Sequence, residues 1–238
     1  MKIDKEEIKA VLLASVVLGF VLSFRKWGDE EFSLITGLLN WGLYFLISIA
    51  TWFVYILAQK VMARRHDLIT SHHLWRQKKL WFSKKLTLKR EIPLGIILSV
   101  ILTFISFGYI KFAGMLETKM DLRKDARLTK RFRRTTELES ALVAVSGPMF
   151  VLFLSSLISI YLPKTPFVET MYVIALSSLI PIGLLDGVKA AFGSLPLYLT
   201  ALLLTLIIIP VLISGIVALT VIATIILFLF LIFLFIMK

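Results

Sequence analysis

The fold of this protein is decided near its C-terminus by the run LPLYLTALLLTLIIIPVLISGIVALTVIATIILFLFLIFLFIM, residues 195–237. These 43 residues include no charged side chain. A transmembrane helix needs about 20 mostly apolar residues, so the run is long enough for two spans. Pro210 and Gly215 mark a place where the chain can turn. We therefore predict a C-terminal helical hairpin over 196–237.

Other apolar segments precede this hairpin. Hydrophobic residues make up 58% of the chain and its mean hydropathy is +0.90. Both values are higher than those of a typical soluble globular domain. The first segment lacks the cleavage site of a signal peptide, and we predict that it is a retained span. The chain is then a single membrane domain over 1–238. Its predicted membrane segments are 7–24, 34–63, 93–113, 138–162, 168–185, 196–213 and 216–237.

Lysine and arginine concentrate in two segments, 64–92 and 114–137. The positive-inside rule makes both of them basic cytoplasmic loops. One full crossing by 93–113 would put them on opposite sides, so we predict that this segment is re-entrant. The prediction is an all-α, polytopic transmembrane protein of six spans plus a re-entrant segment, integral to the membrane and multi-pass. Both termini are expected in the cytoplasm, and seven spans is the alternative.

The basic loops are expected to contact the head groups of membrane lipids. Trp75, Trp81 and Phe82 lie among their charges, and aromatic residues are common at a membrane interface. Nucleic acid is therefore not an expected partner. The chain has no cysteine, which excludes disulfides, thiolate metal sites and cysteine nucleophiles.

Asp186 is the clearest functional candidate because an ionisable residue in an apolar segment is costly. It lies in the stretch IPIGLLDG, residues 180–187. The alternative is a carboxylate at a helix end that faces cytoplasmic water. The stretch resembles the second signature of the site-2 protease family, the intramembrane zinc metalloproteases (peptidase M50-like). That signature reads approximately Asn-x-x-Pro-x-x-x-Leu-Asp-Gly, and its aspartate is the third zinc ligand of the family.

The resemblance covers a family-like core of about 34–195. Pro181, Leu185, Asp186 and Gly187 match the signature, while Ser178 replaces its asparagine. Three further stretches agree with the family in order. They are Ser146-Gly147-Pro148, similar to its Ala-Gly-Pro motif; Pro93-Leu94-Gly95 with 108–114, similar to its membrane-associated strand region; and Ala63-Arg64-Arg65, similar to the basic end of its zinc helix.

The catalytic helix of the family departs from its pattern here. In the family a His-Glu-x-x-His motif runs into Ala-Arg-Arg, and counting back puts the histidines at Tyr55 and Gln59 and the glutamate at Ile56. Two imidazoles four residues apart bind zinc, and the glutamate activates water. Because these residues are replaced, we predict no catalytic residue, no metal and no cofactor, and a vestigial site of Tyr55, Ile56, Gln59 and Asp186. The Gln59 amide is expected within direct or single-water hydrogen-bond reach of Asp186.

The remaining basic residues receive simpler interpretations. His66, His72 and His73 are expected to be solvated loop residues. Lys60 and Lys111 are expected to extend their charged ends to the head groups.

The resemblance implies a non-catalytic, pseudoprotease-like membrane protein that would bind transmembrane segments of other proteins as a regulator, adaptor or chaperone. The alternatives are an active intramembrane metallopeptidase with altered ligands, a small transporter or channel, and a membrane-insertion factor. Few charged residues are expected deep in the spans, which argues against the transporter.

Overall fold

Among the described residues, four helices are long and apolar enough to cross a membrane: Leu34–Arg65, Glu137–Tyr161, Leu195–Ser214 and Val217–Ile236. The computed structural model describes residues 4–28, 32–79, 87–122 and 136–237. Within these ranges most of the chain is helical. The helices are α1 (Lys5–Ser23), α2 (Leu34–Arg65), α3 (Leu94–Ile105), α4 (Glu137–Tyr161), α5 (Pro166–Leu179), α6 (Asp186–Gly193), α7 (Leu195–Ser214) and α8 (Val217–Ile236). The strands are β1 (Leu68–Leu74), β2 (Gln77–Lys79), β3 (Thr87–Ile92) and β4 (Leu116–Leu122).

The C-terminal hairpin is present as predicted. α7 and α8 are separated at Gly215, which adopts the left-handed conformation with φ +74°. Glycine reaches this conformation without a steric penalty, which explains why the turn falls there. Pro210 lies inside α7.

The all-α prediction is wrong for the described parts of the two basic segments, 64–92 and 114–137. β1 pairs antiparallel with β4, from Leu68 opposite Leu122 to Leu74 opposite Leu116, and β2 pairs antiparallel with β3. The buried face of β1 is half polar, with Thr70 and His72 beside two leucines. The period-2 alternation of apolar and polar residues that indicates a strand is therefore missing from the sequence.

Residues 94–115, which we call the α3 hairpin, begin and end beside Trp75, the residue that follows β1. The amide of Gly95 donates to the carbonyl of Trp75 at 3.4 Å, and the amide of Trp75 donates to the carbonyl of Met115 at 2.8 Å. A Cβ on Gly95 would lie 2.7 Å from the carbonyl oxygen of Gly114. The two ends of the segment thus lie side by side.

The tip of the α3 hairpin reaches the far end of α1. Gly108, with φ +77°, packs against Phe24 and Arg25, and the Arg25 guanidinium lies 4.0 Å from the centre of the Tyr109 ring. On the return path, the amide of Ala113 donates to the Ser177 hydroxyl of α5 at 2.9 Å. The hairpin therefore extends along α1 and is bonded to α5.

The predicted segment 168–185 is shorter as a helix than expected, because α5 ends at Leu179. Ile180 has an extended backbone, as a residue that precedes proline prefers. Gly183 then turns the chain with φ +61°. Asp186 is consequently the first residue of the separate helix α6, rather than the end of a span.

Candidate functional site

Asp186 is a buried carboxylate on which three parts of the chain converge. Its side chain is 2% exposed. Its Oδ2 accepts hydrogen bonds from the Tyr55 hydroxyl at 2.5 Å and from the Gln59 amide at 2.7 Å, both on α2. The Thr118 hydroxyl of β4 donates to the same oxygen at 3.1 Å. Lys189, one turn along α6, lies 3.7 Å from Oδ1. The hydrogen bonds to Oδ2 offset part of the cost of removing the carboxylate from water, while Oδ1 accepts no hydrogen bond from the described residues.

The contact between Gln59 and Asp186 is direct, as we expected from the sequence. Tyr55 and Gln59 are four residues apart, so they share one face of α2, and the Gln59 amide also lies 3.5 Å from the Tyr55 hydroxyl. Ile56 is 6% exposed and belongs to an apolar cluster with Leu74 and Met115. Three of the four candidate site residues therefore meet, and Ile56 lies in the adjacent apolar packing.

Gly147 of α4 contacts the same side chains, and Pro148 affects one of them through the carbonyl of Ala144. A Cβ on Gly147 would lie 2.9 Å from Cγ of Gln59 and 3.0 Å from Cζ of Tyr55, so only glycine allows this close approach. Pro148 has no N–H, and it leaves the carbonyl of Ala144 without its donor in the helix. The Gln59 amide donates to that carbonyl at 3.4 Å.

The remaining residues that match the family motifs lie around the start of α6 and in α4. A Cβ on Gly187 would lie 2.2 Å from the carbonyl oxygen of Leu179, so this glycine lets α6 start against the end of α5. Leu185 is 1% exposed and packs with Trp75 and Phe112. Ser146 is buried, and its hydroxyl donates to the Val143 carbonyl within α4. Pro181 ends α5, as described above.

The polar contacts continue from Gln59 to α1. Gln59 Oε1 lies 2.7 Å from Nε2 of His72, and Nδ1 of His72 lies 2.7 Å from Oε1 of Glu7. The amide orientation follows from its nitrogen facing Asp186. Both ring nitrogens of His72 therefore face an oxygen atom that can accept a hydrogen bond. Glu7 also accepts from Lys60 Nζ at 2.8 Å. This chain of contacts, which we call the Glu7–Asp186 network, joins α1, α2, β1, β4 and α6.

Several basic residues differ from the sequence-based expectation. His66 is 3% exposed and His72 is fully buried, so the prediction of solvated loop histidines is wrong for both, while His73 is partly buried. His66 lies 4.0 Å from a carboxylate oxygen of Glu139. Lys60 is 8% exposed and pairs with Glu7, so its expected extension to the head groups is also wrong. The carboxylates that hold these residues come from distant parts of the chain.

A second, half-buried charge cluster surrounds Glu169 in the first turn of α5. Its carboxylate accepts hydrogen bonds from Tyr44 at 2.5 Å, from Lys26 at 3.0 Å and from Lys111. Lys111 was expected to extend to the head groups, and instead it ties the return path of the α3 hairpin to α5. This cluster lies at the end of α1 opposite Glu7.

Sequence reasoning missed Glu7, His72, Thr118 and Lys189 as members of the site. A signal existed for Glu7, because a carboxylate at the start of the apolar segment 7–24 is costly. Thr118 carries no such signal, since threonine is ordinary in a strand.

The zinc that the resemblance implies does not fit these residues. Oδ2 of Asp186 lies 2.5 Å from the Tyr55 oxygen and 2.7 Å from the Gln59 nitrogen, well below the roughly 3.3 Å between ligand atoms around tetrahedral zinc. The amide nitrogen has no lone pair for a metal, and the Tyr55 hydroxyl donates its proton to Asp186. Ile56 cannot accept a proton. Among the described residues, no group of three or more histidine and acidic side chains could hold a metal ion.

Comparison with known proteins gives no relative: no family model matches this sequence, and neither the curated proteins nor the solved structures contain a significant match.

Proposed function

We propose that this protein is a non-catalytic relative of the site-2 proteases that binds transmembrane segments of client proteins without cutting them, as a regulator, adaptor or chaperone. One observation carries the proposal. The positions aligned with the family's zinc ligands, Tyr55, Gln59 and Asp186, meet in space, and Gly147 of a third aligned motif packs on two of them. Each of these motifs matches the family by its sequence alone. Their proximity in the structure is therefore independent of the match.

Client binding is supported by a polar cavity beside the site. The cavity has a volume of about 530 Å³ and lies between α1, β1 and β4, with Leu184 in its wall two residues before Asp186. Glu6, Arg76 and Glu117 also line it. An unwound client segment in a membrane exposes backbone donors and acceptors that require polar partners. Side chains of both signs in this cavity can supply them.

The proposed topology is six spans with a re-entrant α3 hairpin and both termini in the cytoplasm. Two features support it. The ends of the α3 hairpin lie side by side at Gly95 and Gly114, so the chain returns to where it left. α2 also ends in Arg64 and Arg65, which the positive-inside rule favours on the cytoplasmic side.

Restoring the zinc motif tests the relationship. The triple variant Tyr55→His, Ile56→Glu, Gln59→His should bind about one zinc per chain, because two imidazoles and Asp186 then share the site. Zinc is measured by mass spectrometry of the purified protein, and adding Asp186→Ala should abolish it. The wild type should hold far less than one zinc.

The matched control places two histidines with the same four-residue spacing on another face of α2. Val54→His with Ala58→His puts two histidines four residues apart, away from Asp186, and should not bind zinc stoichiometrically. A folded triple variant that binds no more zinc than this control would contradict the alignment.

Client binding is tested in liposomes with a photoreactive residue at Leu184. A transmembrane peptide weakened by central glycine and proline residues should crosslink more than a polyleucine peptide, and neither should be cut. The same photoreactive residue at Leu219 on the exposed surface of α8 is the control. Equal crosslinking at both positions would refute a client site beside Asp186.

The buried charges favour a second candidate function, proton or ion transport. Glu7, Lys60 and His72 are buried at one end of α1, and the half-buried Glu169 and Lys111 lie at the other. Such residues commonly mark ion pathways. A pH gradient that collapses faster in liposomes containing the wild type than in those containing Glu7→Gln would support this candidate.

A further inference from the structure

A groove of about 380 Å³ runs between α2, α4 and α8, separate from the Asp186 site and from the polar cavity. α8 supplies Phe228, Leu231 and Phe235 to its wall, at the i, i+3 and i+7 spacing of one helix face. Leu57 of α2 and Phe150 of α4 form the opposite side. Among the described residues that line it, Ser146 alone is polar, and its hydroxyl is committed to the Val143 carbonyl. The groove therefore accepts an apolar occupant.

The dimensions of the groove are those of a small-molecule site. From Phe228 to Phe235 it extends roughly 10 Å along α8. Its volume of about 380 Å³ lies within the ~300–1,000 Å³ of ligand pockets, so it has room for a single alkyl chain.

One end of the groove carries a positive charge. The guanidinium of Arg65, the last residue of α2, lies 3.9 Å from the centre of the Phe235 ring and so bridges α2 and α8. Arg64 and Arg65 are both exposed. In the part of the chain that the structure describes, no carboxylate lies within ion-pair distance of Arg65. A guanidinium presents paired N–H donors that match the oxygens of a phosphate.

We infer that this groove is a binding site for an anionic phospholipid, with one acyl chain between α2 and α8 and the phosphate on Arg65. The apolar walls and the volume match an acyl chain, and the terminal arginine matches the phosphate. A net negative head group is favoured over a zwitterionic one because no carboxylate of the described residues neutralises the arginine.

The test uses the purified full chain in detergent and phosphatidylglycerol with a photoreactive group in the middle of one acyl chain. Crosslinked peptides, mapped by mass spectrometry, should fall on α2 around Leu57 and on α8 between Phe228 and Phe235. Unlabelled phosphatidylglycerol should compete better than phosphatidylcholine. Arg65→Gln should reduce that preference by about fivefold, the effect of one basic residue at a lipid surface.

Two variants separate the groove from the general lipid-facing surface. Ala58→Leu and Ala58→Trp reduce the space between α2 and α8 by different amounts, and both should lower crosslinking, so the result does not depend on the larger change folding. Lys119→Gln removes an exposed charge on β4 and should alter nothing.

Three results would overturn the assignment. The first is crosslinks spread evenly over the exposed faces of α7 and α8, which indicates ordinary surrounding lipid. The second is equal competition by the two lipids in the wild type. The third is a dimer in solution whose crosslinks join the groove to a second copy.

Discussion

The amide nitrogen of Gln59 lies 2.7 Å from the carboxylate of Asp186, although the two residues are 127 positions apart in the chain. We expect Gln59→Leu and Asp186→Asn to be coupled by about 1 kcal/mol in a double-mutant cycle, because hydrogen bonds between membrane helices reach ~1.7 kcal/mol and this acceptor is charged. The free energy of unfolding in mixed detergent micelles measures the coupling. Gln59→Leu combined with Asp121→Asn, an exposed residue, should be additive. Additivity in both cycles would refute the contact.

Removing one partner of the Glu7–Lys60 ion pair should destabilise the protein. Lys60→Met should lower the free energy of unfolding by about 3–5 kcal/mol, since it removes a cation from a buried carboxylate. Adding Glu7→Gln should recover part of that loss. The control is Lys9→Met, because the Lys9–Glu6 pair is 3.7 Å long and exposed on both sides, and such pairs contribute under about 1 kcal/mol. Equal effects of the two lysine substitutions would contradict a buried pair.

Alanine substitutions at Gly95 and Gly42 should change the stability of the protein in opposite directions. Both are helical, and alanine stabilises a helix interior by up to about 1 kcal/mol over glycine. At Gly42 a Cβ meets nothing within 4 Å, so Gly42→Ala should be neutral or stabilising. At Gly95 it would lie 2.7 Å from the Gly114 carbonyl, and Gly95→Ala should destabilise by about 1–3 kcal/mol. Thermal unfolding in detergent compares them. A stabilising Gly95→Ala would mean that the ends of the α3 hairpin are not in contact.

The topology can be measured by cysteine labelling, because the wild type has no cysteine. Ser83→Cys and Thr129→Cys lie in the two basic segments, outside the described residues, on either side of the α3 hairpin. Both should resist a membrane-impermeant thiol reagent applied from outside cells, and both should react after the membrane is made permeable. Labelling of only one from outside would show that 93–113 crosses completely and that the seven-span alternative is right.

Much of the helical framework could be predicted from the sequence because it depends on local properties. The apolar segments 34–63 and 138–162 lie within two residues of the ends of α2 and α4. The turn at Gly215 follows from the freedom of glycine. The contact of Gln59 with Asp186 was also expected, though from a resemblance and not from composition.

The strands and the buried charges could not be predicted because they depend on which distant segments meet. β1 buries His72 only because Glu7 and Gln59 face it from α1 and α2. Lys60 is buried because the first turn of α1 lies beside the end of α2. In isolation each of these residues is best interpreted as solvated, and only their mutual contacts change that.

Pro148 also has a consequence for the order in which the membrane domain is assembled. A helix that carries a proline enters lipid with one carbonyl lacking a donor, and such a group costs several kcal/mol in hydrocarbon. Here that carbonyl belongs to Ala144, and its donor is a side chain of α2, which is synthesised earlier than α4. In the proposed topology α4 therefore finds the missing donor on a helix that enters the bilayer before it. An α2 that arrived late, or that carried leucine in place of Gln59, would leave the Ala144 carbonyl of the new helix without this donor during insertion.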